Sequence, residues 1–256
     1  MNTRADIIEL SKASPVAMGD EWFDYSTEQH FWMQWRFREF SKVFRPRFKK
    51  ESHFLEIGCG AGVFRSQVEN DYQVTVSGTD LNSEALRRVK PGRGNVYCYN
   101  IFDRDPSLIG QFDGVFLMDV IEHIADDVAF LQCAIEHVKP GGYVFINVPA
   151  LQLLYSKYDL AAGHARRYNA TRLRKLLYNQ GLVDIETRYW GFSMVSLLLL
   201  RSFVLLFTSR QNTIERGFSP PNKLSETILL SIMNFETTVP IRFPVGTSLL
   251  AVGRVQ

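Results

Sequence analysis

From His53 onward, short apolar runs alternate with amphipathic stretches of ten or more residues. That alternation is the pattern of βαβ units, in which parallel strands are covered by helices. It predicts strands near 53–57, 73–79, 95–99, 112–118, 143–148, 183–190 and 247–254, a seven-stranded, mostly parallel sheet with helices on both faces. Helices are predicted over much of 61–70, 83–89, 126–138 and 170–180, with Asn82 or Ser83 capping the second. The run Lys139-Pro140-Gly141-Gly142 predicts a stop and a turn after the third. Ahead of the sheet, Trp22, Phe23, Tyr25, Phe31, Trp32, Trp35, Phe37 and Phe40 crowd one segment, and no turn residue interrupts 28–44. Residues 1–50 therefore read as an N-terminal helical cover on a single α/β, Rossmann-like domain over 51–256. An apolar insertion at about 191–240, before the last strand, is too long for a loop and too apolar for a linker, and is predicted helical.

Composition narrows the class. At 256 residues the chain can bury one sizeable core, and 46% hydrophobic with 22% charged residues belongs to a folded globular protein. Net charge is +2, so no global field attracts a polyanion, although basic residues cluster at 36–50 and 166–175. A nucleic-acid partner is not expected. Cys59, Cys98 and Cys133 form neither a disulfide framework nor a metal knuckle, and a cytoplasmic location is expected. No secretory signal is read in the first residues. The most membrane-like stretch, Phe192 to Phe207, is shorter than the roughly 20 residues a span requires and contains Arg201. It is instead the candidate for peripheral membrane contact, and the whole insertion for burial or a homodimer interface.

The sharpest local signal is HFLEIGCGAG, His53 to Gly62. An apolar strand runs into three glycines at alternate positions, which let the main chain turn tightly and approach a ligand closely. Asp80, at the end of the next strand, is placed to accept from both hydroxyls of a ribose. Glu56 stands two residues before the first glycine, where it would repel a pyrophosphate but could help hold an ammonium group. The third glycine also falls one residue early for a dinucleotide fingerprint.

On these residues, and on FDGVFLMDVIEHIADD followed by VKPGGYVFINVPA, the chain resembles the class I S-adenosylmethionine-dependent methyltransferases over about 50–190. The resemblance implies S-adenosyl-L-methionine as cofactor and a small-molecule acceptor as partner. It implies that Glu56, Gly58, Cys59, Gly60 and Gly62 wrap the methionine part and that Asp80 holds the ribose. Leu81 would lie against the adenine, with Asn100 and Ile101 beside it; Asn100 stands where the family usually has an acid. Asp119, at the carboxyl edge of the fourth strand, reads as a cofactor contact or a helix cap, and His123 as a proton acceptor or a packed imidazole.

GHARRY, Gly163 to Tyr168, resembles a segment of the subgroup often associated with sugar, polysaccharide or lipid-linked acceptors. His164 is the preferred general base, its ordinary pKa of about 6.5 leaving a neutral fraction near neutrality. Arg166 and Arg167 could fork a phosphate or carboxylate of the acceptor, with Tyr168 beside them. Alternatively His164 and Arg167 tie this loop to the domain while Asn169 or Thr171 caps the next helix. O-methylation is the first expectation, N- or C-methylation the second. A non-catalytic nucleoside-binding protein and a nicotinamide-dependent oxidoreductase are the other classes. No metal is expected, since the five histidines show no HxxxH-type spacing.

Overall fold

The computed structural model describes residues 4–14, 27–205 and 223–256. Trp22, Phe23, Tyr25 and the 206–222 part of the insertion lie outside the described residues. The elements are β1 (Ile7–Glu9), α1 (Phe31–Phe44), β2 (His53–Ile57), α2 (Val63–Asp71), β3 (Thr75–Asp80), α3 (Ser83–Leu86), β4 (Val96–Cys98), β5 (Phe112–Met118) and α4 (Asp127–Glu136). They continue with β6 (Val138–Pro149), α5 (Lys157–Ala161), α6 (Ala170–Asn179), β7 (Val183–Trp190), α7 (Val195–Leu205), α8 (Lys223–Thr238) and β8 (Ser248–Arg254).

The sheet has eight strands, in the order β1-β4-β3-β2-β5-β6-β8-β7. Among the described strands β8 runs opposite to the rest, slotting antiparallel between β6 and β7. The strand beyond the seven expected is β1, three residues paired in parallel with β4 at the sheet edge, so the N-terminal segment is not wholly helical. The chain winds outward from β2 through β3 and β4, then returns to place β5 on the other side of β2. This reversal leaves a crevice at the carboxyl ends of β2 and β5, where such sheets bind ligands.

Both faces are buried, so the central strands are almost continuously apolar. Leu55, Ile57, Val115, Leu117, Val144 and Ile146 face one core. Phe54, Phe116 and Phe145 face the other, which α1 joins with Phe31, Trp35, Phe37, Phe40 and Phe44. The Phe40 ring lies 4.9 to 5.7 Å from those of Phe64, Phe116 and Phe145. The N-terminal helix is thus built into the core, not laid over a finished domain.

Two expectations change. Val138 to Gly142 does not turn but continues β6, with a register irregularity opposite Phe112 and Gly114 and a positive φ of 81° at Gly141. The insertion is helical, but Leu197, Leu199 and Leu200 of α7 and Ile228, Ile232 and Phe235 of α8 are exposed. Burial accounts for only part of it, through Leu198, Leu229, Leu230 and Met233 against the aromatic core. No helix among the described residues is long and apolar enough to cross a membrane.

The insertion is pinned by one carboxylate. Glu236 of α8, buried, accepts from the backbone N–H groups of Gly191, Phe192 and Ser193 at 2.8 to 2.9 Å and from the Ser193 hydroxyl at 2.6 Å. Glu236→Ala would strand those donors, and denaturant unfolding should show a loss of about 3 kcal/mol or more. Phe40→Ala should cost about 3–5 kcal/mol in the same assay, whereas a helix resting loosely on the domain would lose little.

Candidate active site

The glycine loop is shaped by backbone geometry that only glycine adopts freely: φ is 73° at Gly58, 53° at Gly60 and 74° at Gly62. A Cβ on Gly58 would stand 2.7 Å from Cγ2 of Val120, so the turn after β5 can close on β2 only over a bare main chain. The Gly58 and Cys59 amides donate to the Thr79 carbonyl at 2.8 and 3.0 Å. The Asp80 carboxylate accepts from Gly60 N–H and from Asn82 N–H, each at 2.8 Å. Asp80 therefore organises the loop as well as facing it. Burial raises its pKa, and these backbone donors oppose the rise.

Glu56, on the last turn of β2 toward the loop, is 3% exposed and accepts from Arg65 N–H at 3.0 Å. Burial pushes its carboxyl up to about 8, against the pull of Arg36 and of the Arg65 amide. Cys59 is buried with its thiol pKa driven upward, mainly by desolvation. Leu81 is half-buried, its carbonyl accepting from Ser14 N–H. Asn100 Oδ1 caps the turn after β4 by accepting from Phe102 N–H at 3.1 Å, and Ile101 is buried in the core.

Asp119 leaves β5 with a φ of 62°, in the left-handed region that non-glycine residues adopt infrequently and aspartate more readily than most. It caps no helix. Its two oxygens accept from Arg36 Nη1 at 2.7 Å and Asn147 Nδ2 at 2.6 Å, and Asn147 Oδ1 in turn accepts from the Trp190 indole at 2.9 Å. Arg36, Asn147 and Trp190 were not singled out by the sequence; Arg36 showed only as the first member of a basic cluster.

The turn after Asp119 carries Glu122 and His123. Glu122 is fully buried with neither carboxyl oxygen partnered beyond the residue's own backbone N–H among the described residues, and burial followed by Asp119 drives its pKa well upward. His123 is pushed down to about 4 by burial and by His164, whose ring meets it edge-on at 4.8 Å.

His164 is held from behind. Its Nδ1 lies 2.9 Å from Asp159 Oδ1, and its carbonyl accepts from the Tyr155 hydroxyl at 2.6 Å. Asp159 also closes the capping box of α5 with Ser156 and accepts from Arg167 Nε at 2.7 Å. Burial alone would raise the Asp159 pKa, but the hydrogen bonds from His164 and Arg167 outweigh it and hold the acid near 2. Aspartate, invisible as a functional candidate in the sequence, is thus the hub of this loop.

The acceptor fork expected at 166–168 is turned inward instead. Arg167, 5% exposed, gives its guanidinium to Asp159 and to the Ala150 carbonyl. Arg166 pairs with Asp127 at 2.8 Å and bonds the Ala125 carbonyl. Tyr168, with no exposed surface, donates its hydroxyl to Asp127 at 2.7 Å. These three side chains, with Asn169 capping α6 through Arg172 N–H, fasten the segment to the domain. Among the sequence candidates, then, Glu56, the glycines, Asp80, Asp119, His123 and His164 lie toward the carboxyl edge, and the side chains of 166–168 are engaged by Asp127, Asp159 and backbone carbonyls.

A family model described as a methyltransferase domain matches residues 27–187. Among curated proteins the chain is similar to a ubiquinone biosynthesis O-methyltransferase of Albidiferax ferrireducens, 28% identical over 158 residues, which are 56% of this chain and 58% of that protein. It is also similar to phosphoethanolamine N-methyltransferase 2 of Caenorhabditis elegans, 34% identical over 151 residues, 55% of this chain and 32% of that protein. The matches span less than two thirds of these relatives' own length. Solved structures sharing the fold include Haemonchus contortus phosphoethanolamine N-methyltransferase 2 in complex with S-adenosyl-L-methionine, with a TM-score of 0.56 at 18% identity over 92% of this chain and 59% of that one. A SAM dependent methyltransferase from Archaeoglobus fulgidus superposes with a TM-score of 0.52 at 18% identity, over 88% of this chain and 99% of that one. With the family model covering well over half of a chain whose glycine loop, acids and sheet order agree with it, the protein belongs to the S-adenosylmethionine-dependent methyltransferase family.

Proposed function

We propose that the chain transfers the methyl group of S-adenosylmethionine to a hydroxyl of a small acceptor, sugar-containing or lipid-linked. The observation that carries this reading is the placing, beyond the carboxyl ends of the strands, of a nucleoside-and-ammonium cradle (Glu56, Gly58 to Gly62, Asp80) and a half-buried imidazole pair. In this reading 51–256 is the catalytic domain with its apolar insertion at 191–240, and the described part of 1–50 adds β1 and α1 to the same core and sheet. Glu56 and the loop hold the methionine part, Asp80 the ribose, and Leu81, Asn100 and Ile101 border the adenine.

The sulfonium is already an activated donor, so the protein's task is to align the acceptor and exclude water. The acceptor oxygen attacks the methyl carbon, the carbon–sulfur bond breaks with its electron pair going to sulfur, and S-adenosylhomocysteine departs. The hydroxyl proton passes to His164 Nε2, since Nδ1 is fixed on Asp159. Relatives named O-methyltransferases support oxygen as the atom methylated. The packing of α7, with its exposed leucines, beside α5 supports an acceptor with an apolar part. Nitrogen is the second reading, favoured by the likeness to an N-methyltransferase.

His164→Ala should lower turnover by about 10²–10⁴-fold while calorimetric affinity for S-adenosylhomocysteine stays as in the wild type; unchanged turnover would remove the imidazole from the mechanism. The second test concerns pH. Below about 8 free Glu56 keeps its proton, which a ligand favouring the carboxylate must displace. Affinity for S-adenosylmethionine should therefore climb between pH 6 and 8, by up to about tenfold per pH unit. Glu56→Gln should flatten the climb. A flat wild-type profile would mean that Glu56 does not face the ammonium group.

A further inference from the structure

Among the described residues, neither oxygen of the Glu122 carboxyl finds a partner beyond the residue's own backbone N–H, and the side chain is sealed from solvent. A buried polar group left without its hydrogen bonds is destabilising, and a ligand would remove that cost. The surroundings of Glu122 supply the rest of a site for one. The Nε2 of His123 is likewise buried and unpartnered. His164 has Nδ1 engaged with Asp159, which leaves Nε2 as its free nitrogen. One ligand atom from each of Glu122, His123 and His164 lies within 4.8 Å of the other two. The two segments are bound together at this point by the main chain, Ala165 N–H donating to the Glu122 carbonyl at 2.7 Å.

We propose that Glu122, His123 and His164 form a binding site for a divalent transition-metal ion. Two imidazoles and one carboxylate are a ligand set suited to Zn2+ and to non-haem Fe2+, and both leave positions open. At bond lengths of about 2.0–2.2 Å, ligand atoms of a tetrahedral or facial set stand about 3–3.5 Å apart, so side-chain rotations that draw the three atoms in from within 4.8 Å close the set. Asp159 supplies what metal-binding histidines regularly have behind them, a carboxylate on the other ring nitrogen that fixes tautomer and orientation. Asp119 is not part of the set, because both its oxygens are held by Arg36 and Asn147.

The ion's role rests on the methyl-transfer reading, though its binding does not. A hydroxyl offered to an open position ionises more readily, its proton leaving to water. His164 then acts as a ligand instead of as the immediate proton acceptor, and the methyl transfer itself proceeds as above.

Equilibrium dialysis of the full chain against Zn2+, followed by metal analysis, should find one ion per chain. Glu122→Gln and His164→Ala should each weaken binding at least tenfold, with S-adenosylhomocysteine titration confirming that each variant is folded. On the wild type alone, Co2+ should shift the ring-proton NMR signals of His123 and His164 and spare those of His53 and His137. No stoichiometric ion, equal binding by wild type and variants, or Co2+ shifts at other histidines would each overturn the site. Metal binding with no affinity for S-adenosylhomocysteine would instead leave the site standing and defeat the methyl-transfer reading.

Discussion

Negative charge crowded into a dry sheet edge is the constraint on which the rest of this molecule turns. Glu56, Asp80, Asp119 and Glu122 all gather where β2, β3 and β5 end. Asp80 pushes the Glu56 pKa up and Asp119 pushes that of Glu122 up, each adding to burial. Arg36 acts against the rise at both and pairs directly with Asp119. Arg65 adds to the relief at Glu56 and Arg167 at Glu122, yet burial outweighs these guanidinium groups and both pKa values rise. Without a ligand, Glu56, its pKa at about 8, relieves the excess by holding a proton, and the Glu122 pKa is driven upward by burial and by Asp119. A sulfonium and an ammonium group would relieve it differently, and cationic ligands are what this edge is built to attract. The same constraint explains why α1 is integral: it carries Arg36 on the side opposite its solvent-facing residues, and its phenylalanines drive that arginine into place.

Much of the fold was legible because its signals are local. The ranges 53–57, 112–118 and 183–190 are the strands found, since each is a short apolar or alternating run bounded by turn residues. β1 was not legible: three residues at an edge, two of them exposed, carry no periodicity. The Lys139 to Gly142 run misled for a different reason. Its glycines do mark unusual backbone, but in a bulged strand, where a Cβ on Gly142 would meet Val138 and the Asp113 carbonyl. Glycine reports that a side chain is excluded; it does not say whether by a turn or by a neighbouring strand.

The site divides along the same line. The glycine loop and its two acids lie within one βαβ unit, where spacing along the chain mirrors spacing in the fold. Arg36 and Asp119 are 83 residues apart, and Asn147 and Trp190 are 43 apart. Tertiary pairing alone joins them. Arg166, Arg167 and Tyr168 illustrate the converse error of reading residue type without its partners. A guanidinium suits an acceptor phosphate only while no buried carboxylate claims it, and Asp127 and Asp159 claim both.

That claim is what holds the His164 loop in place. Asp159 fixes the imidazole, the guanidinium of Arg167 and the first turn of α5 at once, so none can move without disturbing the others. Asp119 sits under comparable restraint, its left-handed backbone held by Arg36 on one side and Asn147 on the other. A left-handed backbone at a non-glycine residue persists where surrounding contacts over-determine it. Here those contacts come from α1 and β6, on either side of the turn that carries Glu122 and His123. The side chains around this edge are therefore held by contacts made within the fold, which is the condition under which alignment of a ligand lowers a barrier without weakening affinity.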